Sequence, residues 1–145
     1  DDDDDGDEAA TRAHMQMRLE RQEKWNQQYG AWALENRRDG TVVGTGLMKP
    51  LRGHRDEWTD DIEIGWHLAR AEWGKGYATE MAEGLLDVAR SRGLQRIHAV
   101  IEATNTRSAA VAARLGFEHQ GSTTAYYDGL LLEHYMLQLA NAAAQ

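Results

Sequence analysis

Residues 61–80, DIEIGWHLARAEWGKGYATE, are the part of the chain whose residue types and order point most directly to chemistry. An alternating apolar run leads into W-G-K-G-Y-A-T, which opens an amphipathic segment. Gly74 and Gly76 let the backbone turn sharply with its N–H groups exposed. The first-turn N–H groups of a following helix have no internal partners, and the helix dipole adds positive potential there. Such a turn is an anion site suited to a phosphate. Any Cβ at the glycines would stand between the phosphate and the amides, and the small Ala78 and Thr79 keep the approach open. A P-loop would need Gly at 69 and Ser or Thr at 76, where Ala69 and Gly76 stand. A dinucleotide fingerprint fails as well, because Thr79 holds its third glycine place and no parallel βαβ unit with a suitable acid is apparent. Gly44-Thr45-Gly46 has Lys49 at that third place, so its glycines read as relieving crowding in a hairpin strand.

The elements that must position this turn follow from periodicity. Residues 11–29 read as a polar helix capped by Thr11, with Met15, Leu19, Trp25 and Tyr29 as its apolar stripe and Gly30 as its stop. A strand over 31–35 buries Trp32 and Leu34. Asp39-Gly40 turns it into a return strand over 41–48, which Pro50 ends. Residues 51–60 read as a charged loop. The strand over 61–68 is interrupted by Gly65, a sign of a bulge or close backbone approach. Ala78, Met81, Ala82, Leu85, Leu86 and Ala89 repeat at helical spacing over 77–92, and Gly93 ends that helix. A β-branched strand over 96–103 and a helix over 104–115 come next. Strands over 117–121, 125–127 and 130–139 surround a second Asp-Gly turn at 128–129. This order predicts an α+β fold with a mixed sheet.

The chain has 145 residues and no cysteine, which excludes disulfides, Cys-ligated metal and a thiol nucleophile. Its six histidines include no i+3 or i+4 pair and no H-E-x-x-H, so no metal is expected. Residues 1–8, DDDDDGDE, hold seven of the acids, and without them the net charge of −8 nearly vanishes. The expected organisation is an acidic, disordered tail over 1–10 and one domain over 11–145. With no basic field, no long apolar run and no signal peptide, the expectations are no nucleic acid, no membrane and a cytoplasmic location.

Two separated motifs then converge. EIGWHLARAEWGKGYATE and IHAVIEATNTRSAAVAARLGF together resemble the Gcn5-related N-acetyltransferase (GNAT) superfamily, most nearly its ribosomal-protein-alanine N-acetyltransferase branch. The likeness is strong over 61–139 and weaker over 12–60. It implies a central, mostly antiparallel sheet splayed in a V, with acetyl-CoA as co-substrate. Main-chain groups of Trp66, His67 and Leu68 would hold the pantetheine and thioester. Those of Trp73, Gly74, Lys75, Gly76, Tyr77, Ala78 and Thr79 would hold the pyrophosphate, and Asn105 would bond the pantetheine arm. Members of the superfamily often carry Gln or Arg where this chain has Ala71. They also usually begin with a strand and a helix ahead of the segment matched by 11–29. Nothing in residues 1–10 reads as either, because Asp disfavours strands. An unpaired edge there invites a partner, so a homodimer is among the expectations.

The implied reaction is direct acetyl transfer to a primary amine, on a protein N-terminus or a small molecule. The amine must shed its proton, with a pKa of about 8 for an α-amine or about 10.4 for lysine, and the thiol leaving group sits at about 8.5. Glu63 is the base candidate from the matching E-I-G-W context; the alternative is a strand carboxylate with no chemical role. Asp60 and Asp61 are poorer candidates. The oxyanion would meet the main-chain N–H near Leu68. The tyrosine common three residues before the Leu-Gly-Phe corner is replaced by Ala112. Ser108 is therefore the acid candidate, or else a helix-start residue bonding backbone. Tyr126 or Tyr127 could act from the substrate side, or simply pack in a hairpin. Trp66 and Trp73 are expected at the cofactor wall with His67, and Trp25 and Trp58 near an acceptor cleft; Trp32 could flank it too, but core packing is the better reading for Trp32. The competing reading is an acyl-CoA-binding module without catalysis, or a truncated remnant.

Overall fold

The computed structural model describes residues 8–10 (backbone only), 14–22, 29–55 and 57–139. Its strands are β1 (Glu8–Ala10), β2 (Met15–Gln22), β3 (Gly30–Asn36), β4 (Val42–Arg52), β5 (Trp58–Leu68), β6 (Arg96–Ile101), β7 (Glu118–Thr123) and β8 (Leu132–Gln138). Its helices are α1 (Tyr77–Ser91) and α2 (Thr106–Arg114). Among the described residues the strands form one sheet in the order β1-β2-β3-β4-β5-β6-β8-β7. Every neighbouring pair is antiparallel except β5 and β6. This is the α+β architecture expected from the sequence.

The parallel pair creates the V. β5 and β6 are bridged at one position, Glu63 opposite His98. Beyond it β5 stays on β4, up to Leu68 opposite Gly44, while β6 stays on β8, up to Ile101 opposite Glu133. The strands therefore part toward their C-terminal ends. α1 follows β5 directly, so its N-terminus lies at this opening. A parallel β-α-β unit does exist here, contrary to expectation, but one bridged pair holds its strands together. The C-terminal edge of such a unit is where open sheets receive ligands.

α1 reaches the sheet through Met81, Ala82, Leu85, Leu86, Val88 and Ala89, all buried. Gly46 on β4 permits that approach: a Cβ there would lie 2.9 Å from Met81 Sδ and 3.0 Å from Leu85 Cδ1. Trp32 and Leu34 of β3 are buried in the same core, as their alternation predicts. Gly93, at φ +77°, ends α1. Asn105 caps α2, its Oδ1 accepting from the Ser108 N–H at 3.2 Å.

Several expectations are corrected. Within the helix expected over 11–29, residues 15–22 form a strand. Met15 and Met17 are buried and Leu19 half-buried, with Gln16 and Arg18 between them, a period of two rather than 3.6. Residues 11–13 and 23–28, with Thr11 and Trp25, lie outside the described residues. The last part of the expected tail, Glu8–Ala10, pairs with β2 as an added edge strand. Pro50 does not end β4. β3 has stopped opposite Met48, and the β4–β5 register shifts just past Pro50, so its missing N–H falls where pairing is already interrupted. Gly65 makes no bulge, since β4 pairs with β5 in unbroken register there. Residues 51–52 and 58–60 extend strands that bracket a shorter loop. Residues 125–127 form no strand; Tyr127–Gly129 make a single tight turn between β7 and β8.

Candidate active site

Two cavities meet at the V. The first, of about 360 Å³, runs over the start of α1 toward α2. It is lined by Trp66, His67 and Leu68, then Trp73, Gly74, Gly76, Tyr77, Ala78 and Thr79, and finally Asn105 and Ser108. All the residues expected to hold the cofactor are brought to this cleft except Lys75, whose ammonium pairs with Glu72 at 3.1 Å. Gly74 and Gly76 both have φ +82°, and a Cβ on either would point into open space. The glycines therefore serve backbone conformation, not packing.

Arg107 and Arg114 also line this cleft and were not anticipated. The guanidinium of Arg107 lies 4.0 Å from the centre of the Trp73 ring. Arg114 donates to Thr79 Oγ1 at 2.9 Å, tying α2 to the first turn of α1. Their spacing of seven puts both on one face of α2. That spacing was a usable signal, but only with the knowledge that this face looks toward the glycine turn.

The second cavity, of about 480 Å³, shares Trp66, Asn105 and Ser108 with the first. Glu63, Gly65, Tyr127, Leu130 and Leu132 are among its other lining residues. Glu63 is 8% exposed. Its Oε1 accepts a short hydrogen bond from the Tyr127 hydroxyl and lies 3.3 Å from Lys49 Nζ. Lys49 also donates to the Tyr127 oxygen at 2.9 Å. Burial pushes the Glu63 carboxyl up, while the Tyr127 hydrogen bond and the Lys49 charge pull it back down. Burial and the neighbouring Glu63 raise the Tyr127 phenol, so it stays protonated.

Ser108 stands where the two cavities join. Asn105, not the Ser108 hydroxyl, provides the helix cap. Tyr126 is not among the residues lining either cavity; its hydroxyl donates to Asp61 Oδ2 at 3.2 Å. Asp61 is also 3.5 Å from Nε2 of His98, whose Nδ1 meets His134 at 2.9 Å. Trp32 belongs to the core, Trp58 is exposed, and Trp66 and Trp73 line the cofactor-type cleft. Among the described residues no three His, Asp or Glu side chains gather as a metal site, and no helix is long and apolar enough to cross a membrane.

The acetyltransferase (GNAT) domain family matches residues 3–118. An uncharacterized N-acetyltransferase, p20, of Bacillus licheniformis is 37% identical over 101 residues, covering 68% of this chain and 54% of p20. An L-methionine sulfoximine/L-methionine sulfone acetyltransferase of Pseudomonas aeruginosa is 32% identical over 85 residues, covering 57% of this chain and 47% of the relative. The chain thus spans about half the length of these curated relatives. The structure of yncA from Salmonella typhimurium with its cofactor acetyl-CoA superposes with a TM-score of 0.62 at 25% identity, over 79% of this chain and 67% of the other. A phosphinothricin acetyltransferase of Sinorhizobium meliloti in complex with acetyl-CoA shares the fold, with a TM-score of 0.63 at 23% identity over 81% and 65% of the two chains. The splayed β5–β6 pair, the glycine turn at the start of α1 and the family match over most of the sequence agree: the chain belongs to the GNAT acetyltransferase family.

Proposed function

We propose that this chain transfers an acetyl group from acetyl-CoA directly to a primary amine. The observation that carries the proposal is the meeting of two unlike cavities at Trp66, Asn105 and Ser108. One has an anion-binding helix start with two arginines; the other has a buried carboxylate. A thioester lying through the first would present its carbonyl carbon to an amine in the second.

The glycine-turn amides and the dipole of α1 would take the pyrophosphate, with Arg107 and Arg114 adding charge. The Asn105 side chain caps α2 through its oxygen, which leaves its NH₂ free to donate to the pantetheine arm. Both contacts to Glu63 use Oε1, so Oε2 is available to accept the amine proton, directly or through water. The neutral nitrogen then attacks the thioester carbon. The main-chain N–H near Leu68 would meet the oxyanion, and collapse breaks the C–S bond. The nitrogen sheds its second proton as the amide forms. That proton goes to solvent if the CoA thiolate leaves as such, or to the thiolate by way of the Ser108 hydroxyl, which gives up its own proton and takes the nitrogen's. Tyr127, rather than Tyr126, is the phenol on the acceptor side, where it orients Glu63.

Calorimetric titration with acetyl-CoA, followed by thiol release against a panel of amines, tests the proposal. Saturable binding with amine-dependent thiol release is expected. Binding without turnover by any amine would support the acyl-CoA-binding module instead, and no binding by folded protein would overturn the cofactor assignment.

A further inference from the structure

The charges around the acceptor cavity are one-sided. Glu63 and Glu102 line it, and among the described residues no lysine, arginine or histidine does. The nearby cations are already paired or lie off its wall. Lys49 lies on Glu63 and Tyr127 and borders a separate cavity beside Trp58. Arg52 pairs with Asp128 at 3.3 Å. Arg107 and Arg114 belong to the cofactor cleft. The rest of the wall is mixed: Asn105, Ser108 and Tyr127 are polar, while Val100, Ile101 and Leu132, with Leu130, 49% exposed, at the rim, add an aliphatic stretch. The Glu102 carbonyl accepts from the Asn105 N–H at 2.9 Å, which fixes the main chain at Glu102 beside the junction with the cofactor cleft.

A carboxylate carried into this cavity would meet Glu102, whose charge no ion pair among the described residues offsets, beside a Glu63 already balanced by Lys49. It would find no cation on the described wall itself, a like-charge juxtaposition that costs affinity. An ammonium group would find the reverse. The aliphatic stretch of Val100, Ile101, Leu130 and Leu132 favours a hydrocarbon substituent on that side. We infer that the acceptor is a small primary amine that bears an apolar group and no carboxylate, and that Glu102 selects for it. The inference rests on the acetyl-transfer reading and refines its substrate. It separates this chain from the relative named for L-methionine sulfoximine, an amino acid with a free carboxylate.

Matched pairs test it: phenethylamine against phenylalanine, and leucinamide against leucine, each followed by thiol release with saturating acetyl-CoA. Losing the carboxylate raises amine basicity in the first pair relative to a simple amino acid and lowers it in the second when it is masked as an amide. Basicity alone therefore cannot produce one preference in both. The expected result is a kcat/KM at least about tenfold higher for the carboxylate-free member of each pair. Glu102→Gln should narrow that ratio in both pairs, with acetyl-CoA affinity by calorimetry unchanged. Equal or reversed preference in the wild-type protein would overturn the inference while leaving acetyl transfer intact. A Glu102→Gln ratio equal to wild type would overturn the role of Glu102. Acetyl-CoA binding with no thiol release from any of the four amines, while other amines of the wider panel turn over, would overturn the inference and leave acetyl transfer standing.

Discussion

The Tyr127 hydroxyl donates its hydrogen bond to the Glu63 carboxylate across 64 positions of sequence. The geometry is held from behind. Tyr127 and Asp128 have φ of 53° and 58°, a left-handed conformation that bulky residues rarely adopt. Asp128 secures it by accepting from the Arg55 N–H at 2.7 Å and pairing with Arg52. The turn between β7 and β8 is thereby clasped to the loop between β4 and β5, and the phenol is held against the carboxylate.

In the proposed mechanism this pair sets the pH dependence. Glu63 must be ionised to accept a proton, and burial holds its pKa above the usual carboxylate value. Activity should therefore rise with pH through that raised value. Tyr127→Phe removes a donor that favours the ionised form, so the rising limb should move to higher pH. An unmoved limb would show that Glu63 is not the titrating base. Glu63→Gln should lower kcat/KM by about 10²–10⁴-fold with acetyl-CoA affinity retained. It should not lower the melting temperature at neutral pH. A carboxyl with a raised folded-state pKa costs stability as pH rises from its unfolded value through the folded one, and the amide removes that cost.

The glycine turn is open to a charge test. Gly76→Asp should abolish measurable acetyl-CoA binding, because a carboxylate would stand at the phosphate position. Gly76→Ala brings the strain of a left-handed Cβ without the charge, and should weaken binding much less. Calorimetry on both variants, with circular dichroism to confirm folding, separates strain from repulsion. Equal affinity in Gly76→Asp and wild type would remove the pyrophosphate from this turn.

Arg107 and Arg114 should act through charge. Each alanine variant is expected to raise the Kd for acetyl-CoA by about tenfold, in keeping with an exposed charge-assisted contact. Each should also flatten the dependence of Kd on salt. An effect that persists unchanged in high salt would instead mean that Arg107 matters through its stacking on Trp73.

The seam between β4 and α1 should be intolerant of added volume. Gly46→Val would drive a side chain into Met81 and Leu85, and overpacking of this kind costs typically about 1–3 kcal/mol. Leu85→Ala, which empties the same seam, should cost about 2–5 kcal/mol. Urea melts of the two variants read both, and a neutral Gly46→Val would mean that α1 does not bear on β4 so closely.

The parts of the site legible in the sequence are those written in consecutive residues. The glycine turn, the amphipathic run of α1, the Asn105 start of α2 and the strand feeding the turn all follow from backbone freedom, capping and periodicity within about twenty positions. Even within such windows the period can be misread. Met15 and Leu19 fit a helix as well as a strand, and Met17 between them is what assigns β2. Burial of Met17 against β3, opposite Leu34, settles the matter, and that contact is not local.

What the tertiary structure alone decided is which distant residues share the V. The sequence offered adjacent tyrosines at 126 and 127 with equal claim. The turn sends Tyr127 to Glu63 and Tyr126 to Asp61. Arg107 and Arg114 mark a face of α2 at helical spacing, yet only the packing of α2 beside α1 turns that face to the glycine-turn end of the cleft. The physical reason is one of range. Turns, caps and periodicity act between neighbours along the chain. The partners of Glu63 and the opening between β5 and β6 depend on strands and loops that are separated in the sequence and brought together only by the fold.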